Sequence, residues 1–209
     1  MSASFVLAIW FMVAKEQKAQ LEMWWKNPKA QRVWIEITRR PDADIGADIN
    51  NDSTEFLKHL QIAKKGDKVL HWNSRRGHFV GVSTVKNSKP IKIGTNKGLE
   101  LSNHIPFPED NLNLEQIRNQ WKLVKAIHDK HFIDRKTLYF PFMPYGAPGW
   151  KKLRPRLAYL TIAPPELVNL LGAIYQASAK SKSSKKWKSF GISNEKLPTI
   201  SKARKKSTR

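Results

Sequence analysis

Apolar and polar positions along this chain change period several times, and each change marks a predicted element. Residues 4–26 open with an apolar run, Phe5 to Ala14, and continue with the good helix formers Lys15, Glu16, Gln17, Lys18 and Gln20. The helix this predicts stops before Pro28. Residues 32–38 then alternate with period two. Val33, Ile35 and Ile37 share one face, Trp34, Glu36 and Thr38 the other, which predicts a strand whose aliphatic face meets the core. An Asp- and Gly-rich loop follows from Pro41 to Asp48. Asp52, with Glu55 three residues later, reads as a capping box for a short helix carrying Phe56, Leu57 and Leu60. Gly66-Asp67 turns the chain into a strand over 68–73, residues 73–78 form a polar, basic turn, and 79–85 return. These two strands are the clearest hairpin in the sequence.

The second half is less regular. Lys86, Lys89, Lys92 and Lys97 mark a loop or an edge strand. Asn113 and Gln116 cap a helix with Leu114, Ile117, Trp121, Val124 and Ile127 at helical spacing. Short apolar stretches at 138–142 and 158–162 are strand candidates around a loop over 144–155. Pro164-Pro165 then opens a terminal helix with Leu167, Val168, Leu171 and Ile174, since proline is tolerated in a first turn. No internal repeat interrupts this order. It predicts an α+β fold, a curled sheet flanked by helices.

Charge narrows the function classes. The 209 residues carry 38 Lys and Arg against 17 Asp and Glu, a formal charge of +21, which makes a polyanion the expected partner. Residues 180–209 hold 11 of the cations and one acid, Glu195. Such Ser- and Lys-rich sequence buries too little apolar surface to fold alone, so 177–209 reads as a basic flexible tail or linker in which Trp187, Phe190 and Ile192 can dock locally. Residues 1–31 read as a helical segment and 32–176 as the main domain. The chain has no cysteine, which excludes disulfides, Cys-ligated metal and thiol chemistry. The run from Phe5 to Ala14 is about half of a membrane span and follows no basic region. The expectation is a cytoplasmic protein with no membrane partner.

Catalytic signatures are absent: no GxSxG elbow, Gly-rich phosphate loop or HExxH occurs. His128 and His131 stand three apart on a predicted helix but lack a further ligand at suitable spacing, and read as solvent-exposed histidines. Asp42 with Glu55 and Lys58 superficially matches a nuclease core, but the Glu-to-Lys spacing is one residue too long. No catalytic residue, metal or cofactor is expected. Binding features are richer. Eight Trp serve either as core or as flat faces for stacking a base. Trp121 and Trp10 read as core. Trp72 precedes Asn73-Ser74-Arg75-Arg76, which offers a stacking face, an amide, a hydroxyl and two cations together. Trp34 stands evenly between core and binding. Trp150, Lys151, Lys152, Arg154 and Arg156 share a Pro/Gly loop of the kind that carries function.

Several of these segments together resemble the EVE-like domains of the PUA superfamily, in the version found at the N-terminus of modification-dependent HNH restriction endonucleases. The residues that carry the resemblance are Val33-Trp34-Ile35-Glu36-Ile37-Thr38 with Asp42 and Ile45-Gly46-Ala47-Asp48, then Gly66-Asp67-Lys68-Val69-Leu70-His71-Trp72. Phe79-Val80-Gly81-Val82-Ser83 follows, and Leu138-Tyr139-Phe140-Pro141-Phe142 and Leu153-Arg154-Pro155 with Ala158-Tyr159-Leu160 close the set. They occur in order over roughly 32–172.

The resemblance implies a PUA-like curled β-barrel of five or six strands that holds a flipped, modified cytosine, 5-methyl or 5-hydroxymethyl, for modification-dependent restriction of phage DNA. It carries over only Trp34 and Trp72, as pocket walls, and the candidate pocket around them comprises Trp34, Thr38, Trp72, Asn73, Ser74 and Phe140. Backbone contacts then fall to Arg39, Arg40, Arg75, Arg76, Lys151, Lys152, Arg154 and Arg156, which position a nucleic acid rather than read it. The implied partner is double-stranded DNA with modified cytosine, together with a C-terminal or separate nuclease domain, in a nucleoid-associated prokaryotic setting. An RNA-binding module is the alternative, because PUA relatives also bind structured RNA, and a small stand-alone nuclease is a third.

Overall fold

The computed structural model describes residues 31–41, 44–50, 59–87, 89–108, 112–131, 140–156, 159–178 and 187–192. The helix expected over 4–26, Asp42, Glu55 and the capping box at Asp52 lie outside these residues.

Ten strands are described: β1 (Val33–Thr38), β2 (Ile49–Asn50), β3 (Lys68–Asn73), β4 (His78–Val85), β5 (Ile91–Ile93), β6 (Asn96–Leu99), β7 (Leu101–Pro106), β8 (Phe142–Met143), β9 (Arg154–Pro155) and β10 (Leu160–Ala163). Three α-helices accompany them: α1 (Leu114–Asn119), α2 (Trp121–His131) and α3 (Pro165–Ser178). The central sheet runs β10-β1-β3-β4-β7 and is mixed, with β1 parallel to β3 and every other pair antiparallel. Among the described residues β10 and β7 are its two edges, so the sheet is not closed into the expected barrel. The α+β class stands.

β1 has the predicted alternation, and its second face is core as well as its aliphatic one. All six of its residues are buried, because β1 lies inside the sheet between β3 and β10 and both of its faces are covered. Buried strands of this kind occur where layers pack on both sides. The hairpin of β3 and β4 forms as predicted, with Val69 opposite Ser83 and His71 opposite Gly81. The register then shifts, so that Trp72 faces Phe79 and Val80 is the extra residue. In the turn, Asn73 Oδ1 accepts from the backbone N–H groups of Arg75 (2.9 Å) and Arg76 (3.2 Å), an Asx turn that explains the asparagine.

The lysine-rich stretch is more structured than its composition predicts. β5 and β6 form a hairpin that pairs onward to β2, and β7 then returns beside β4. The helix capped by Asn113 and Gln116 has its predicted reciprocal box, at 2.9 and 3.0 Å, but breaks at Gln120, giving α1 and α2.

Within the basic C-terminal stretch, residues 187–192 dock locally, as their apolar side chains allow. Trp187, Phe190 and Ile192 are buried. The rings of Trp187 and Phe190 pack with those of Phe107 and Tyr175 at centroid distances of 4.8–6.0 Å. Gly172 of α3 makes the room, since a Cβ there would stand 2.8 Å from the Trp187 indole. This apolar stretch of an otherwise basic terminus completes the core.

Candidate functional site

The parallel register of β1 and β3 decides how the two candidate pocket tryptophans relate. Trp34 is aligned with Val69, and Trp72 with Ile37. Aligned residues share a face and successive residues alternate, so Trp34 lies with Glu36, Val69 and His71, while Trp72 lies on the opposite face with Ile35, Ile37 and Leu70. The two indoles cannot sandwich one base. Trp34 is 0% exposed, its Nε1–H donates to Asp67 Oδ2 at 3.0 Å, and its ring lies 5.8 Å from that of His59. Trp72 packs edge-on to Phe79 and Phe142, at 5.1 and 6.4 Å.

Five of the six pocket candidates, Trp34, Thr38, Trp72, Asn73 and Phe140, are therefore buried side chains with partners inside this chain. Thr38 Oγ1 accepts from the Arg40 backbone N–H at 3.0 Å, and Asn73 serves the turn. Phe140 is buried among the rings of His128, Phe142 and Trp150. Ser74 is exposed.

Its backbone has a larger consequence. The Ser74 N–H donates to the Thr38 carbonyl at 2.9 Å, which brings the end of β1 against the tip of the β3–β4 hairpin. Arg39 and Arg40 thus stand beside Arg75 and Arg76 at one end of the sheet. Arg39, Arg75 and Arg76 are exposed. Arg40 differs from them: its Nη2 donates to Glu36 Oε1 at 2.7 Å and its Nη1 to the Asp48 carbonyl at 3.2 Å, so it also ties the following loop to the sheet. The start of β10 joins the same end, where the Ile37 N–H donates to the Tyr159 carbonyl at 2.9 Å. The other cations come from the loop between β8 and β9. Lys151 and Lys152 are exposed, Arg154 stacks on Tyr145, and Arg156 Nε donates to the Phe140 carbonyl at 3.2 Å. α1 links this loop to the hairpin: the Leu114 N–H donates to the Gly77 carbonyl at 3.0 Å, and Arg118 Nε to the Leu153 carbonyl at 2.9 Å.

On the Trp34 face lies a chain of polar groups whose association the sequence motifs do not announce. Glu36 Oε2 accepts from His71 Nδ1 at 2.5 Å, His71 Nε2 lies 2.8 Å from Ser83 Oγ, and Ser83 Oγ lies 3.1 Å from His104 Nδ1. Burial pushes the Glu36 carboxyl pKa up, but the bond and charge of His71 and the charge of Arg40 outweigh it, and the net shift is downward. Burial, aided by the charge of His71, lowers the His104 pKa to about 4. A carboxylate only accepts, so His71 Nδ1 carries a proton, and the hydroxyl of Ser83 relays between the two imidazoles.

The distances match a nucleophile relay, yet Ser83 is 1% exposed and Glu36 and His71 are wholly buried. No substrate reaches the hydroxyl. Two glycines seal the far end: a Cβ added at either Gly46 or Gly81 would fall within the contact distance of the His104 ring. Asp48 Oδ1 accepts from the Leu101 N–H at 2.8 Å and holds the same loop on β7. The chain of groups knits four segments of the sheet together. Its sequence signal was polar residues at the centre of apolar strands.

Other groups fall into structural roles. His128 packs its ring on Phe140 and Trp150, at 5.3 and 4.8 Å. His131 is buried, with Nε2 2.8 Å from Glu166 Oε2, so the expectation of two solvent-exposed histidines is corrected. Trp121 is half-buried beneath Lys122 and Lys151, each 5.9 Å from a ring centroid. Among the described residues no cluster of three His, Asp or Glu is placed to hold a metal, and no helix is long and apolar enough to cross a membrane.

No family model and no curated protein matches the chain. Among solved structures it is similar to protein Atu2648 from Agrobacterium tumefaciens, at 11% identity over 74% of this chain and 98% of that one, with a TM-score of 0.40. A likeness of that size carries no argument about fold or function.

Proposed function

We propose that this chain is a nucleic-acid-binding module that docks a phosphate backbone on the cationic end of its central sheet and reads modified cytosine in duplex DNA. The observation that carries the reading is the bond from the Ser74 N–H to the Thr38 carbonyl. It gathers Arg39 and Arg40 after β1, and Arg75 and Arg76 in the β3–β4 turn, at one end of the sheet on a chain of formal charge +21. Clustered cations release counterions on a polyanion, which gives affinity with little sequence preference. The modified-cytosine part, with 5-methyl- or 5-hydroxymethylcytosine as ligand, rests on the ordered motifs, as does the EVE-like, PUA-type fold. Glu36, Gly46, His71, Gly81 and Ser83, all quoted from those motifs, pack around one polar chain, which supports taking the motifs as a unit.

Flipping a base costs a few kcal/mol, and the return must come from walls other than Trp34 and Trp72. In this reading cleavage belongs to a C-terminal or separate nuclease domain, and the module works at a prokaryotic nucleoid. The test is fluorescence anisotropy over a salt series. The probes are matched duplexes with cytosine, 5-methylcytosine or 5-hydroxymethylcytosine, and an RNA hairpin. Replacing Arg39, Arg75 and Arg76 by Ala is expected to flatten the logarithmic salt slope by about 0.9 for each phosphate no longer neutralised. An unchanged slope would overturn the docking end. Equal affinity for all three duplexes would overturn the reading of modification, and tighter binding of the hairpin would assign the module to RNA.

A further inference from the structure

Two large apolar side chains are exposed among the described residues, Leu123 at 40% and Tyr145 at 51%. Tyr145 shares its loop with Lys151 and Lys152 and meets Arg154 of β9. It follows β8, and one side of its ring is covered by the Arg154 guanidinium from β9, 4.5 Å from the ring centroid. The hairpin fixes this arrangement, since Met143 and Arg154 are register partners. The intervening loop is held by the Tyr145 N–H on the Gly149 carbonyl at 3.3 Å and the Gly149 N–H on the Gly146 carbonyl at 2.7 Å. Leu153 is buried at its base. The ring is therefore presented on a braced loop.

Among the described residues no acidic side chain pairs with the cations of this loop. Elsewhere on the surface Lys86 pairs with Glu100, Lys125 with Asp129 and Lys130 with Glu166. Lys151, Lys152 and Arg154 form no ion pair among the described residues. Among the described residues Arg154 Nε is buried without a hydrogen-bond partner, and the phenol ring, rather than a carboxylate, packs on this guanidinium.

We infer that Tyr145, backed by Arg154, is a stacking platform for one unpaired nucleotide, with Lys151 and Lys152 holding the adjoining phosphates. A flat aromatic face beside unpaired cations fits a base and its phosphate together. Bases inside a duplex present no free face to such a ring, so the ligand is single-stranded DNA or RNA, or a nucleotide displaced from a duplex. This inference rests on the nucleic-acid-binding reading above but uses none of its arginine patch.

The test uses the full chain and three probes at one salt concentration: a dodecamer of deoxythymidine, a dodecamer of uridine, and a blunt duplex of equal charge. Tyr145→Ala is expected to weaken binding of a single strand roughly 5- to 150-fold, the span of one base–aromatic stack. Duplex affinity should stay within about twofold. Tyr145→Phe is expected to retain single-strand affinity, because stacking needs the ring and not the hydroxyl. The strand whose affinity falls on Tyr145→Ala identifies DNA, RNA or both. Single-strand affinity unchanged in Tyr145→Ala, with duplex binding intact, overturns the platform and leaves the duplex reading standing. Wild-type protein that binds none of the three probes overturns both.

Discussion

Glu36 and His71 are register partners across the parallel pair of β1 and β3, and their side chains meet at 2.5 Å where no solvent reaches. A buried pair of this kind is more costly to halve than to remove, since the survivor keeps a buried polar atom with its partner gone. Glu36→Ala and His71→Ala are each expected to lower stability by about 3–5 kcal/mol. The double variant should cost less than the sum of the two. Urea unfolding of the four proteins measures this, and strictly additive effects would show that the contact contributes nothing.

Acid should act in two separate windows. The His104 pKa is lowered from 6.5 to about 4, so the unfolded chain binds the extra proton first. Stability is then lost as pH falls from about 6.5 toward 4 and levels off below that. The Glu166 pKa is lowered from 4.5 to about 2, chiefly by its bond to His131 and then by Lys130. The contribution of Glu166 is present above 4.5 and lost from there toward 2. Denaturant midpoints read at half-unit steps of pH should show both declines. His104→Gln is expected to remove the upper one alone, and Glu166→Gln to shrink the lower, to which Glu36, whose pKa is also lowered, contributes as well.

Gly172→Ala runs against helix propensity. In an exposed helix the change would be favourable by about 1 kcal/mol, but here the new methyl meets the Trp187 indole at 2.8 Å. A lowered melting temperature is expected. Trp187→Ala should cost about 3–5 kcal/mol, and ending the chain before residue 187 at least as much. A truncated protein that melts at the wild-type temperature would remove this segment from the core.

Trp34→Phe keeps a ring but loses the bond to Asp67, at a cost of about 1 kcal/mol. Trp34→Ala and Trp72→Ala should each cost about 3–5 kcal/mol. For whatever fraction stays folded, the salt slope of nucleic-acid binding is expected to match wild type. A folded Trp72→Ala protein with a selective loss of modified DNA would restore that indole to the binding surface.

Local grammar was readable from the sequence: the alternation of β1, the β3–β4 hairpin, the reciprocal cap at Asn113 and the start of α3 at Pro165 all depend on near neighbours. What covers a strand does not. Glu36 and Trp34 look like an outer face because a period of two tells which residues are alike, without telling what lies against each face. The covering residues, such as His59 over Trp34 and Phe142 over Trp72, are remote in the chain. Residues 86–106 concealed three strands because short polar strands carry almost no period. The meeting of Arg39 and Arg40 with Arg75 and Arg76 requires parallel pairing, which no local signal announces.

That parallel pairing also implies an order of events in time. Glu36 is 35 residues from His71, and Ile35 is 126 from Thr161 across β10. His71 and Ser83, across the β3–β4 pair, are 12 apart. Closing longer loops costs more entropy before any contact repays it, so the β3–β4 hairpin is expected to form early and β1 to insert late. Ile35→Val should then hasten unfolding and leave the folding rate nearly untouched, whereas Val82→Ala should slow folding. Until β1 inserts, the nascent sheet carries an open edge along β3, and the half-made protein is at its most prone to pair with another copy of itself.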